Sequence, residues 1–267
     1  MISNITSLIA ASYADGQHIL DKCVLARVDI PSLLRHIEEK DERAYTYLVE
    51  EEKIQFSRFT FPKRRYEWLS GRIAAKYAAI QHISPSSTKP TKNQWQSIQV
   101  CQDDHGKPYL HSSENIHNLP HISISHSEGV AVGLASNFPC GVDIQKITAA
   151  LERVERRFVT QKEKSLLSVY TEEREKRSYL GAIWSAKEAI KKASTLRPLP
   201  GFLEISLQEI RKENGYQFEM IFKREKNKIK LHHRVFAIIY DTFSLAITFS
   251  DFRPNFCENN KKLGNTL

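Results

Sequence analysis

The chain has 267 residues, of which 41% are hydrophobic and 26% charged, a composition that excludes a largely disordered protein. Its 39 Lys and Arg outnumber 31 Asp and Glu, and the net charge of +8 points to an anionic partner: nucleic acid, a membrane surface, a phosphorylated ligand or an acidic protein. No apolar run reaches the roughly 18 residues that a membrane-spanning helix needs, so none is predicted.

The opening residues, Met1 to Gly16, hold a short apolar patch without a basic flank, so no signal peptide is expected and a cytoplasmic location follows. Cys23, Cys101, Cys140 and Cys257 lie far apart without a CxxC pair, which reads as reduced structural thiols. Val24 to Ile30 reads as a strand stopped by Pro31, and residues 32–57 carry dense charge at helical spacing. Between Tyr66 and Ile80, the side chains of Leu69, Ile73, Tyr77 and Ile80 form one helical stripe. Ser84 to Asn93, rich in Ser, Pro and Lys, reads as a loop.

Strand signals follow. Ile98-Gln99-Val100 precedes a Gly106-Lys107-Pro108 turn, and Ile122 to Ser125 and Val130 to Leu134 alternate with period two, a pattern that Gly141 to Gln145 continues. Helices are predicted near 150–170 and 174–195, then strands at 202–210, 216–223 and 234–249, the last a hairpin turning at Asp241-Thr242. The polar end, Arg253 to Leu267, is expected to be a flexible tail. Strands and helices mix without a steady βαβ rhythm, which predicts an α+β fold; no internal repeat is visible.

Three constellations could hold chemistry. On a strand, Val142 and Ile144 face one side, so Asp143 and Gln145 project together from the other. Paired oxygen donors suit a hard cation such as Mg²⁺, although a half-buried strand with a wet face explains them too. In Trp184-Ser185-Ala186-Lys187-Glu188-Ala189-Ile190-Lys191-Lys192, helical spacing puts Trp184, Glu188 and Lys192 on one face, flanked by Lys187 and Lys191. Glu188 could ligate a metal or act as a base; the plainer reading is an exposed Glu–Lys pair. Third, Lys63, Arg64, Arg65, Arg72, Lys76, Lys107, Ser125 and His126 are cations and hydroxyls that could converge on phosphates; the plainer readings are a solvated charge run or a nucleic-acid patch for Lys63-Arg64-Arg65 and a structural hydrogen-bonding role for His126.

Taken in order, these segments resemble the Sfp-like, large monomeric 4′-phosphopantetheinyl transferases. The Gly106-Lys107-Pro108 turn, Ser125-His126 at a strand end, Gly141-Val142-Asp143-Ile144, and Trp184, Lys187, Glu188, Ala189 and Lys192 match that family's successive motifs. Trp68 to Lys76 is similar to its Arg-rich helix, so the resemblance covers about residues 60–195. It implies a pseudo-twofold α+β fold of two similar halves, 1–138 and 139–267, with coenzyme A in the cleft between them.

The resemblance also implies a reaction: a carrier-protein serine attacks the β-phosphorus of coenzyme A, and adenosine bisphosphate leaves. Asp143, Gln145 and Glu188 would hold Mg²⁺, with Mn²⁺ as the alternative; Glu188 would be the base and Lys192 would stabilise the leaving phosphate. Lys63, Arg65, Arg72, Lys76, Lys107, Ser125, His126, Lys187 and Lys192 would bind coenzyme A. Many members have Glu where this chain has Gln145, which leaves two charges in the site. The expected partners are acidic apo carrier proteins met by a monomer, with no nucleic acid or membrane, and the Lys223 to Lys230 stretch could add to the docking charge or be merely a charged hairpin loop. A polyketide, non-ribosomal peptide or siderophore pathway is the expected setting. The rival readings are a nucleic-acid-binding protein and an inactive scaffold that binds carrier proteins.

Overall fold

The structure is a computed structural model that describes residues 1–11, 23–37, 42–85, 89–114, 116, 118–167, 173–212, 216–224 and 229–250. Cys257, the tail from Arg253 and residues 225–228 of the lysine-rich stretch lie outside the described residues. The first half of the chain runs β1 (Ile2–Asn4), α1 (Thr6–Ala10), β2 (Cys23–Asp29), α2 (Ile30–Ile37), α3 (Glu42–Tyr45), α4 (Glu50–Ser57), α5 (Pro62–Ile83), α6 (Lys92–Gln96), β3 (Ile98–Gln102), β4 (Pro108–Ser112), β5 (His121–Ser127) and β6 (Val130–Ser136). The second runs β7 (Cys140–Lys146), α7 (Ala150–Val154), α8 (Gln161–Leu167), α9 (Glu173–Ala193), β8 (Ile205–Lys212), β9 (Tyr216–Arg224), β10 (Ile229–Tyr240) and β11 (Phe243–Phe249).

Two antiparallel sheets result, ordered β1-β2-β6-β5 and β7-β11-β10-β9-β8, with β3 and β4 a separate hairpin. Matching elements in chain order pairs β2 with β7, α5 with α9, and β3 to β6 with β8 to β11. Each half is thus a strand, a long helix and an antiparallel return. The repeat that the sequence hides is plain in the topology.

Packing explains the layering. Leu69, Ile73, Ala74, Ala75 and Ala78 of α5 bury against one face of the first sheet, and Leu180, Ile183, Ala186 and Ile190 of α9 against the second. The remaining faces meet each other: Leu25, Val132 and Leu134 from one sheet pack on Val142, Phe236, Leu245 and Ile247 from the other. β6 is therefore buried along all seven residues, where alternation predicts only one buried face. Close helix–sheet approach needs glycine at two points. A Cβ at Gly133 would overlap the α5 backbone at Ala74 and Ala75, and one at Gly141 would overlap α9 at Ala189.

Other local expectations shift by a few residues. Pro31 lies in the first turn of α2 rather than ending a strand, a position where its missing N–H costs nothing. The expected loop to Asn93 gives way to α6 at Lys92, because Thr91 and Gln94 form a reciprocal cap.

Each half also contains one buried ion pair of the same design. Lys76 Nζ donates to Glu52 Oε2 (2.5 Å), Tyr47 O (2.9 Å) and Trp95 O (3.1 Å). Lys187 Nζ donates to Glu163 Oε2 (3.0 Å), Phe158 O (2.6 Å) and Phe202 O (3.2 Å). Glutamate and lysine are 24 residues apart in both halves, and the first carbonyl is 29 from the lysine in both. The glutamates then accept Val100 N and Leu207 N, tying each helix to the strand that follows it. Both lysines are 0% exposed, and burial lowers the pKa of each against the pull of its glutamate. These contacts remove Lys76 and Lys187 from the expected coenzyme A ligands: their ammonium groups are saturated inside the two cores.

Candidate active site in the cleft between the halves

The two sheets meet along β5 and β7 through side chains. Ser123, Ser125 and Ser127 Oγ accept the backbone N–H groups of Val142, Ile144 and Lys146 at 3.0, 3.3 and 3.1 Å. Alternate serines on β5 thus do what a neighbouring strand's carbonyls would do. The period-two serines are visible in the sequence; their partner strand is not.

Asp143 sits on this seam, 6% exposed. Its Oδ1 accepts Ser125 Oγ (2.8 Å) and Lys192 Nζ (2.8 Å), while Oδ2 is buried without a hydrogen-bond partner. Lys192 also donates to Val142 O (3.0 Å). Burial raises the Asp143 pKa; Lys192 and Ser125 pull it down, and the nearby Glu188 pushes it up again. Glu188, half-buried on α9, pairs with Lys191 Nζ at 3.0 Å.

Lys192, the partner of Asp143, lines a cavity of about 260 Å³ together with Lys107, Ser123, Glu188, Lys191 and Arg197 among others. Lys107 arrives on a tight turn: Asp103 Oδ1 accepts the N–H groups of His105 and Lys107, and Gly106 takes φ +78°. Its Nζ lies 3.4 Å from Ser194 O just past α9, and partial burial lowers its pKa. A second cavity of about 600 Å³ shares Gly106, Pro108 and Ile124 with the first and is lined further by Phe59, Arg64, Glu67, Trp68, Arg72 and His126. The Arg72 guanidinium carbon lies over the Trp68 ring, 3.5 Å from its centroid, with Nε 3.8 Å from Glu52. His126 Nδ1 lies 4.0 Å from Glu67.

Of the residues expected from the sequence, the structure brings Arg64, Arg72, Lys107, His126, Glu188, Lys191 and Lys192 to the cleft wall, with Ser125 and Asp143 directly behind it. It does not bring the others. Lys63, with its side chain 77% exposed, stands at the start of α5 beside Glu67. Arg65 stacks on the Phe56 ring, 4.1 Å from its centroid, and lines neither cavity. Gln145 also lines neither cavity; its Nε2 donates to Lys146 O (3.1 Å), which turns the carboxamide along its own strand. Arg197 and Ser123 are additions that sequence reasoning did not single out, because a loop after a helix and a strand serine carry no distinctive pattern.

The donor set can be tested against a divalent cation. Asp143 Oδ2 is an orphaned buried oxygen, an arrangement that is costly unless something positive completes it. Among the described residues, no three His, Cys, Asp or Glu converge. Asp143 and Glu188 therefore offer two carboxylates and leave the other positions to water and phosphate, which fits Mg²⁺ or Mn²⁺.

Residues 139–248 match the model of the 4′-phosphopantetheinyl transferase superfamily. Over 105 residues, 39% of this chain and 84% of the relative, the chain is 30% identical to holo-[acyl-carrier-protein] synthase of Halalkalibacterium halodurans. It is 40% identical to the protein of the same name from Geobacillus over 85 residues, 32% of this chain and 68% of that one. A crystal structure of a holo-(acyl-carrier-protein) synthase from Bacillus anthracis in complex with CoA (3′,5′-ADP) is 27% identical, covers 43% of this chain and 92% of its own, and has a TM-score of 0.37. The chain belongs to the 4′-phosphopantetheinyl transferase superfamily, and it is a phosphopantetheinyl-transferring enzyme. The matched segment is the second half, β7 to β11 with α9; the first half repeats the topology outside it.

Proposed function

We propose that the protein transfers the 4′-phosphopantetheine arm of coenzyme A to a serine hydroxyl of an apo carrier protein, releasing adenosine 3′,5′-bisphosphate. The carrying observation is the buried Asp143 carboxylate, with one unsatisfied oxygen, held by Lys192, which with Glu188 lines a cation-rich cavity. Lys107, Lys191, Lys192 and Arg197 converge on a space of small-molecule size, which favours a phosphorylated small ligand over a nucleic acid.

Such transfers rest on alignment and charge neutralisation. In this reading Lys107 and Lys192 flank the pyrophosphate, and the larger cavity takes the nucleotide end, with Arg72 held ready on Trp68 and His126 at its rim. Glu188 lies in the smaller cavity, where it can take the proton from the attacking serine. Lys192 neutralises Asp143 and stands ready for the leaving phosphate. A Mg²⁺ or Mn²⁺ ion held by Asp143 and Glu188 would supply further charge neutralisation when bound.

Because one chain supplies both walls of the cleft, we read it as the large, monomeric type with halves divided between Ser136 and Cys140, acting in the cytoplasm on carriers of secondary metabolism. An acidic carrier suits the +8 charge. Incubation of apo carrier with the protein, coenzyme A and Mg²⁺ should add one phosphopantetheine to the carrier's intact mass. No gain on any of several carriers, with Mg²⁺ or Mn²⁺, would refute the reading.

A further inference from the structure

We infer that Ser125 is a positioning residue that aims the Asp143 carboxylate. The inference rests on the proposed transferase site and adds to it a role distinct from touching coenzyme A. Ser125 is 7% exposed and lines neither cavity, so its hydroxyl works inside the wall.

Three serines of β5 accept amide protons from β7, and their geometry is nearly the same. One differs in what it does with its own proton. Ser125 Oγ accepts Ile144 N–H at 3.3 Å, so a lone pair is committed there and the O–H turns to Asp143 Oδ1, 2.8 Å away. Lys192 Nζ takes the same Oδ1 at 2.8 Å. With two donors on Oδ1, the carboxylate is locked about its torsion, and Oδ2 is the oxygen left for a ligand. Ser127 carries the same strand-joining bond to Lys146 N without a carboxylate partner, so it separates seam-holding from aiming.

The experiment compares Ser125→Cys, Ser125→Thr and Ser127→Ala with the wild type. Cysteine keeps the volume but is a weak donor; threonine keeps the hydroxyl and suits a strand. Two readouts are taken: kcat and KM for transfer, and Mn²⁺ affinity by the electron paramagnetic resonance of free Mn²⁺ in the absence of substrate. Orienting partners of metal-site carboxylates are worth about 10–100-fold in affinity or activity. Ser125→Cys should lose ~10-fold or more in kcat and in Mn²⁺ affinity with KM for coenzyme A little changed, Ser125→Thr should recover most of both, and Ser127→Ala should match the wild type. Equal kcat and equal Mn²⁺ affinity for Ser125→Cys and Ser127→Ala would overturn the inference and leave the transferase reading intact. A KM effect for coenzyme A without a kcat or Mn²⁺ effect would overturn it too, returning Ser125 to ligand contact. A wild type that modifies no carrier, yet binds Mn²⁺ ~10-fold more tightly than Ser125→Cys, would refute the function and keep the positioning role.

Discussion

The two halves share a frame and differ in charge. β2 pairs with β6 over seven residues, as β7 does with β11, so the fourth residue of each first strand is equivalent: Ala26 in one half, Asp143 in the other. On the helices, Lys76 and Lys187 anchor the same ion pair, but the residues that follow diverge. Tyr77, Ile80 and Gln81 stand where Glu188, Lys191 and Lys192 stand. Ala26 packs into the α5 core, whereas Asp143 meets Ser125 of the serine seam and Lys192 of the cleft wall. The buried Lys–Glu pair is therefore a property of the fold, and the cleft chemistry is added to one copy. The segment that matches the family model, residues 139–248, is that copy.

The largest expected effect falls on the shared element. Lys187→Met leaves Glu163 buried without its cation and should cost about 3–5 kcal/mol in denaturant unfolding; Lys76→Met should cost somewhat less, because Arg72 Nε stays 3.8 Å from Glu52. A loss is expected in both halves; a loss confined to one would break the equivalence. Adding Glu52→Gln to Lys76→Met should recover part of the stability by removing the stranded charge.

Next comes the element that only the second half has. Glu188→Gln should lower turnover by at least ~10²-fold without loss of folding, the scale of a lost base or charge stabiliser. Tyr77→Phe, at the equivalent helix position, should change turnover by less than about twofold, as expected of substitutions away from any special contact. Steady-state transfer assays on the two variants make the contrast, and a fully active Glu188→Gln would remove Glu188 from the mechanism.

A smaller effect tests what the first half contributes. Arg72→Ala should raise KM for coenzyme A by roughly tenfold, the worth of a hydrogen bond to a charged group, with KM for the carrier little changed. Equal effects on both substrates would move Arg72 away from the nucleotide end. The smallest concerns Gln145, whose carboxamide turns along its strand to Lys146 O. Gln145→Glu should shift the Mg²⁺ concentration for half-maximal rate by less than about twofold, because a carboxylate outside the cavities adds little to the ion's field. A large drop in that concentration would return residue 145 to the metal's shell.

Much of the secondary structure was legible locally, with shifts at Pro31 and Lys92. Hydrophobic spacing located α5 and α9, alternation located β5 and β7, and parity put Asp143 opposite the Val142 and Ile144 face that packs between the sheets. The order of short motifs placed the chain in its family, because side chains that serve one reaction keep their types and sequence. Four lysines of the two motif helices look alike on paper: Lys76 and Lys187 are sealed against Glu52 and Glu163, while Lys191 and Lys192 open onto the cleft. Helical periodicity assigns a residue to a side of its own helix, but which side is core depends on what packs there. That was decided by Glu52 and Glu163, each 24 residues upstream and brought back by chain reversal. The repeat between halves was hidden for the same reason: a fold constrains polarity and volume at each position, not identity, so two copies can keep one backbone while sharing little beyond a lysine, a glutamate and the distance between them.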